Sequence, residues 1–385
     1  MKKITNQAIA DLLAMEHNGP AVTMYIPTHT SASPPHVSEN QLRLKNLTHA
    51  AAEQLQEQGN DALAKELRQK QEELMDDLAF WETTTRGLLI CANADTFQLF
   101  HLPMDTEEHV SVSDSFYLAP ILGLLHDAQE YYLLTVAQHN PKLFKADMYG
   151  LQPTAITLPA SVQEGLNIDE NNQKSEQSLS AGGSSFNTSG FNGRGGARNP
   201  QEEDRARFFR MIDNILMNKA DRSLPLILAG IDAETVEYRA HSKYPTILQG
   251  TLSGNMEHAN LDELFEQTQA IIHDEIIEPK HLQAMEEYQR LLGTNTARTA
   301  HDDSTIRDAA NQGRVGTLIV GLSRMTRDTV RDDIRPAERL TFPEGTMADA
   351  FNSIALAVQN TSGSVVMVNQ DAMPQGTGLA AILRY

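Results

Sequence analysis

The six residues Gly193-Arg194-Gly195-Gly196-Ala197-Arg198 place three glycines among two guanidinium groups. Glycine reaches positive φ without a steric penalty and lets main chain approach a bulky partner. Arginine presents a planar fork that pairs with phosphate through two parallel hydrogen bonds. The stretch from Gly182 to Pro200 is free of acid, in a chain carrying 51 Asp+Glu against 31 Lys+Arg and a formal net charge of −20. Two chemistries compete for such a segment: a phosphate-contacting finger and a solvated linker. It is neither a P-loop, since the Gly-Lys-Ser/Thr ending is missing, nor a dinucleotide site, which needs a strand immediately before the glycines.

The other reactive side chains exclude more than they offer. His29 and His36 share the stretch Thr28–Asn40, with no third ligand at metal spacing, so no metal site and no cofactor are expected. The carboxylates form no recognisable acid–base pair, and no serine sits in a G-x-S-x-G elbow. Cys91 is the only cysteine, lying in the apolar run "GLLICAN". It allows no intramolecular disulfide and fits a reducing, cytoplasmic setting. No run of about 20 apolar residues occurs, so no membrane span is expected. The net charge repels phosphate at long range, which argues against DNA and against broad RNA binding; any RNA contact must be local.

The elements that must position these residues follow from pattern. "AVTMYIPTH" reads as a strand ended by Pro27, and Thr28–Asn40 as a Ser/Thr/Pro-rich loop. Two helices meet near Gly59–Asn60, and "RGLLICANADTFQLFHL" reads as a hairpin turning at Asn93–Asp95. "LAPILGLLHDA" is a short helix, and two strands flank "HNP". From Ser161 to Pro200 the composition turns to Asn, Gln, Ser and Gly, a long insert. The helix beginning "QEEDRARFFRMID" carries acids in its first turn; Glu203 and Arg207 stand at pairing distance, while Phe208 and Phe209 are assigned to the core. "LPLILAGID" is apolar throughout, as in a strand covered on both faces. Two helix–turn–strand repeats and a final strand "GLAAILRY" complete the chain. The fold class is α/β (α+β multidomain) in three domains, at 1–117, 118–258 and 259–385, with the middle and C-terminal units each a mixed sheet with packed helices.

Taken together, "GRGGARNPQEEDRARFFRMID", "VTMYIPTHTSASPPHVSENQLRLKNL", "YYLLTVAQHNPKLFKADMYGL" and "AANQGRVGTLIVGL" resemble, in this order, elements of the archaeal–eukaryotic class-1 release factor and Pelota family, on the side of its bacterial, Balon-type hibernation factors. The resemblance implies that Gly193, Arg194, Gly195, Gly196, Ala197 and Arg198 enter the peptidyl-transferase centre of the ribosome. It also implies that the first unit, with His29, Thr30, Ser31 and His36, faces the decoding centre. Its partners would then be 23S and 16S rRNA, with delivery by elongation factor Tu. The chain departs from the family where termination chemistry resides: Gly195-Gly196-Ala197 stands in place of Gly-Gly-Gln, and no Asn-Ile-Lys-Ser motif occurs. Seating a water against an ester carbonyl needs a positioned polar group, so the expectation is a non-enzymatic factor holding ribosomes inactive from a vacant A site. A peptidyl-tRNA-hydrolysing rescue factor and a ribosome-independent, stress-related interaction protein are the alternatives.

If the glycine segment carries the contact, Arg194→Glu weakens co-sedimentation with ribosomes severalfold, whereas Lys219→Glu leaves it unchanged. Equal losses would assign binding to general charge.

Overall fold

The computed structural model describes residues 2–14, 19–30, 33–164, 200–256, 259–294, 296–322, 346–373 and 377–385. They divide into two compact units, Met1–Asp127 with Lys280–Tyr385, and Ala128–Pro279 between them in sequence.

The first unit opens with α1 (Asn6–Ala14), β1 (Ala21–Pro27) and the long α2 (Pro34–Glu57). α3 (Asp61–Asp76) and the single turn α4 (Leu78–Trp81) follow, then β2 (Gly87–Ala92), β3 (Phe97–Leu102) and β4 (His109–Ser113). The four strands form an antiparallel sheet in the order β3-β2-β1-β4. The expected hairpin is present, and its turn is an Asx turn: Asn93 Oδ1 accepts from the backbone N–H of Asp95 and of Thr96, both at 2.9 Å. α2 and α3 cover this sheet with Leu44, Leu47, Ala51, Leu55, Leu63 and Leu67, over a fully buried Trp81. Cys91 is buried in β2, and burial pushes its thiol up in pKa, so it packs as a small apolar side chain.

The rest of this unit is the C-terminal layer. It comprises α5 (Ala119–Asp127) and, after the second unit, α9 (Glu278–Thr294), β10 (Thr299–Ala300), α10 (Asp303–Asn311) and β11 (Val315–Leu322). α11 (Thr346–Asn360), β12 (Ser364–Asn369) and β13 (Leu379–Leu383) complete it. The sheet is mixed, in the order β10-β13-β11-β12, with β11 and β12 parallel and the other pairs antiparallel. Gly313, at φ +69, makes the turn from α10 into β11.

One side chain ties the two layers of this unit together. Asn352 of α11 is 3% exposed, and its Oδ1 accepts from Leu118 N at 2.9 Å and Ala119 N at 3.1 Å. Its Nδ2 donates to Phe116 O at 2.9 Å. The two amides it satisfies are orphan donors at the start of α5, which no intrahelical carbonyl can reach. Beyond that point α5 lies against β12, and Gly123 faces Met367 there: a Cβ on Gly123 would run into the Met367 side chain.

The second unit holds β5 (Tyr131–Val136), β6 (Lys142–Asp147), β7 (Gly150–Pro153), α6 (Pro200–Lys219), β8 (Leu226–Gly230), α7 (Asp232–His241), β9 (Ile247–Ser253) and α8 (Leu261–Ile272). Its five strands run β7-β6-β5-β8-β9, with β5, β8 and β9 parallel and β6 and β7 antiparallel. Every residue of β5 and of β8 is buried, matching the apolar run read for β8. Asn140, at φ 49, makes the Asn–Pro turn between β5 and β6. α8, with which the sequence reading opened a third domain, packs Leu264 and Ile272 onto this sheet, and the unit continues to Pro279.

Removing the Asn352 amide leaves main-chain groups buried without partners, each worth about 1–3 kcal/mol. Asn352→Ala is therefore expected to lower unfolding free energy by about 3 kcal/mol, read by urea titration; a loss below about 0.5 kcal/mol would show that water replaces the amide.

Candidate functional site

The histidines singled out by sequence lie at the end of β1 and the start of α2. Pro27 ends the strand, and Thr28 hydrogen-bonds through its backbone N–H to Arg86 O at 3.0 Å. The main chain of His29 is gripped from two sides. Its N–H donates to Asn40 Oδ1 at 2.9 Å, and its carbonyl accepts from Asn40 Nδ2 at 3.3 Å and from Thr84 Oγ1 at 2.9 Å. Asn40 is fully buried, so this amide–amide clasp is shielded from water. The His29 ring stacks on His36, with centroids 4.3 Å apart and planes 20° from parallel. Its Nε2 lies 3.0 Å from Glu39 Oε2.

Arg43 closes the group: it reaches Pro27 O at 3.1 Å, pairs with Glu39 four residues earlier, and stands 3.5 Å from Glu108. Burial, slight here, would raise the Glu39 carboxyl, but Arg43, His29 and His36 outweigh it and hold Glu39 below its usual range. The arrangement presents stacked imidazoles and an ionised carboxylate on a rigid backbone. It suits recognition by stacking and hydrogen bonding.

His36 corrects the loop reading of Thr28–Asn40. α2 already begins at Pro34, so His36 stands in a helix turn. The Pro34–Pro35 pair occupies the first helical positions, where an N–H has no intrahelical acceptor and its loss costs nothing. Thr30 is exposed beside His29, and Ser31 lies outside the described residues. Sequence reading missed Glu39, Asn40, Arg43 and Thr84. The spacing of Glu39 and Arg43 was the available signal; Asn40 and Thr84 gave none, because they act on main chain brought close only by folding.

In the middle unit, Gly193, Arg194, Gly195, Gly196, Ala197 and Arg198 lie outside the described residues, and what the structure shows is the ground on either side. Before them, Asn140 N donates to Ala160 O at 2.7 Å, Ala160 N to Glu164 Oε2 at 2.8 Å, and Glu164 N to Ser161 Oγ at 3.2 Å. After them comes α6, which starts at Pro200 and buries Phe208, Phe209, Ile212 and Leu216 against β5 and β8. Full burial of each phenylalanine is worth roughly 2–3 kcal/mol, and both serve the core as the sequence reading assigned them.

Two carboxylates fix α6 to α7. Arg205 of α6 pairs with Glu237 of α7 at 2.5 Å. Asp213, 2% exposed, accepts from Lys243 N at 2.8 Å, from Tyr238 OH at 3.4 Å and from Ser242 Oγ. It thereby caps the chain leaving α7. Beside the stem, a groove of about 470 Å³ runs between β6, β7 and α8, lined by Leu143, Phe144, Ile156, Leu158 and Leu264, with no acid–base pair. One trio among the described residues, His273, Asp274 and Glu278, has ligand atoms close enough to share a cation, and its acids are exposed. No helix among the described residues is long and apolar enough to cross a membrane.

Residues 131–274 match the sequence model of the bacterial archaeo-eukaryotic release factor family 7. The match begins at the first residue of β5 and ends just past α8, so it coincides with the compact middle unit Ala128–Pro279. No curated protein matches the chain. Among solved structures, an archaeal Pelota in a ribosome-bound model with ABCE1 is 11% identical, covering 100% of this chain and 95% of that one at a TM-score of 0.39. Pelota from Archaeoglobus fulgidus is 12% identical, with coverages of 77% and 79% and a TM-score of 0.36. The archaeal translation termination factor aRF1 is 14% identical, with coverages of 100% and 99% and a TM-score of 0.23. None of these likenesses assigns a role to an individual residue here.

Asp213→Ala removes one buried acceptor from three donors and is expected to cost about 3 kcal/mol, whereas Asp213→Asn keeps an acceptor and costs less. Thermal unfolding of the two variants checks the order; equal losses would mean that charge, not hydrogen bonding, holds α6 to α7.

Proposed function

We propose that this chain is a ribosome-associated translation factor of the release-factor and Pelota kind, and that it occupies a vacant A site and keeps the ribosome inactive. The observation that carries the proposal is the match of residues 131–274 to the release-factor family, in the unit that also holds the Gly193–Arg198 segment. In this reading α6 and the Asn140–Ala160 clasp form a firm base, and the glycine segment reaches from it toward the peptidyl-transferase centre. Gly193, Gly195 and Gly196 allow close approach to 23S rRNA, and Arg194 and Arg198 pair with phosphate. The His29–His36 stack, with Thr30 beside it and Ser31 next in sequence, faces the decoding centre and 16S rRNA. Delivery is by a translational GTPase, elongation factor Tu in a bacterium.

Ala197 makes the factor non-hydrolytic. Its methyl group neither donates to a developing oxyanion nor seats a water, and loss of one such positioned donor costs about 10²–10³ in rate. The acidic remainder of the surface limits affinity to these local contacts. Binding is therefore expected to depend on salt less steeply than that of a broadly basic protein.

The purified chain is expected to co-sediment with vacant 70S ribosomes and to release no peptide from peptidyl-tRNA above background. Release that vanishes on altering Gly195 and Gly196 would make it a rescue enzyme instead. Failure to co-sediment would remove the ribosome from the account.

A further inference from the structure

The edge of a sheet presents main-chain N–H and C=O groups that another strand can pair with, and this chain closes two of its edges itself. At β3, His101 N donates to Lys2 O at 3.0 Å, and Lys3 forms a parallel bridge with His101. At β9, Glu275 takes the N–H groups of Gln249 and Gly250, which β8 leaves unpaired. Arg239 donates to the carbonyls of the same stretch, to Ile247 O at 3.4 Å, Leu248 O at 2.6 Å and Gln249 O at 3.3 Å.

β4 is the other edge of the N-terminal sheet, and it is left open. Which of its groups face outward follows from the ladder. Thr28 N donates to Arg86 O at 3.0 Å and continues the β1–β2 register, so even-numbered residues of β1 turn their main chain to β2. The odd-numbered Ala21, Thr23 and Tyr25 turn theirs to β4, opposite Ser113, Ser111 and His109. The N–H and C=O groups of Val110 and Val112 therefore point out of the sheet, and among the described residues no other group takes them up. All five residues of β4 are half-exposed. Val110 and Val112 share one face and pack against the core under α2. An exposed carboxylate stands at each end, Glu108 before the strand and Asp114 after it. Arg43 lies 3.5 Å from Glu108 but also pairs with Glu39.

We infer that β4 is a docking edge for an extended, basic segment of another protein, which adds to the sheet as an antiparallel strand. Main-chain bonds to Val110 and Val112 supply the affinity, and alternate side chains supply the choice of partner. Residues of the bound segment opposite Val112 and Val110 are apolar and continue their face. Residues one pair further out, opposite Asp114 and Glu108, are Lys or Arg, and polar residues between them turn to the side of Ser111. A second copy of this chain matches the main chain equally well, because Val110-Ser111-Val112 reads the same in both directions. Pairing about Ser111, however, sets Glu108 of each copy opposite Asp114 of the other, and like charges directly opposite are destabilising. Two chains of net charge −20 also repel at longer range. A basic segment removes both penalties. The inference goes beyond the ribosomal reading and stands with or without it.

The probe is a fluorescein-labelled heptapeptide, Lys-Thr-Val-Thr-Val-Thr-Lys, titrated with the full-length chain and followed by anisotropy. Saturable binding is expected, weakened about tenfold when both valines are N-methylated, since two main-chain donors are lost. N-methylation of the first two threonines, whose N–H groups point away from β4, leaves most of the affinity. On the protein, E108Q/D114N lowers affinity about threefold. Val112→Pro removes an N–H that the β1 ladder does not use, a position where edge strands accept proline, and brings a loss comparable to that of the methylated valines. Circular dichroism checks its fold; should it unfold, the methylated peptides decide on the unaltered chain. Absence of binding, equal harm from methylated valines and methylated threonines, or a folded Val112→Pro variant of parental affinity would each overturn the site. Equal binding of the same peptide with glutamates at its ends would do so as well. Sedimentation of the parent as a dimer that Val112→Pro splits would give the edge to a second copy, against this inference.

Discussion

Alternate side chains of β5 and β8 supply two different apolar cores, and the middle unit depends on that two-sided burial. Tyr132, Leu134, Leu226 and Leu228 turn to Phe208, Phe209, Leu216 and Tyr238; Tyr131, Leu133, Ile227 and Ala229 turn to Leu248, Leu264 and Ile272. A one-residue slip of either strand would exchange the two sets and disrupt both cores at once. The register is thus strongly specified, and with it the position of α6.

Several carboxylates of this acidic chain act on local structure. Glu275 accepts from Gln249 N at 2.7 Å and Gly250 N at 2.5 Å, tying the single π-helical turn His273–Ile277, which follows α8, to β9. Asp213 holds the end of α7, and Asp302 and Asp77 accept main-chain N–H groups at the starts of α10 and α4. Carboxylates used this way are strong acceptors for main-chain donors.

The division of the chain follows contacts rather than sequence order. The stretch before α5 and the C-terminal layer belong to one unit because Asn352 satisfies main-chain groups 234 and 233 residues away, at Leu118 and Ala119. The middle unit is then an insertion, entered after Asp127 and left at Lys280. A reading in sequence order places boundaries where composition changes. A helix such as α8, amphipathic whichever sheet it covers, carries no mark of which sheet that is.

Local chemistry was legible wherever a residue acts on its own neighbourhood. The Asx turn at Asn93, the Asn–Pro turn at Asn140, the stop at Gly313, the core role of Phe208 and Phe209, and the doubly covered strand β8 could all be read from side-chain type and period. β4 and β9 were missed: each is short and half-exposed, and only pairing with β1 or β8 makes it a strand. The helix start at Pro34 was hidden because the same prolines and serines also suit a loop. What the tertiary structure alone decided is which polar groups meet: Asn40 with His29, Asp213 with Lys243, Asn352 with the start of α5, and arginines with the end of the last strand. Such pairings depend on where main chain from distant segments comes to rest, and no periodicity encodes that distance.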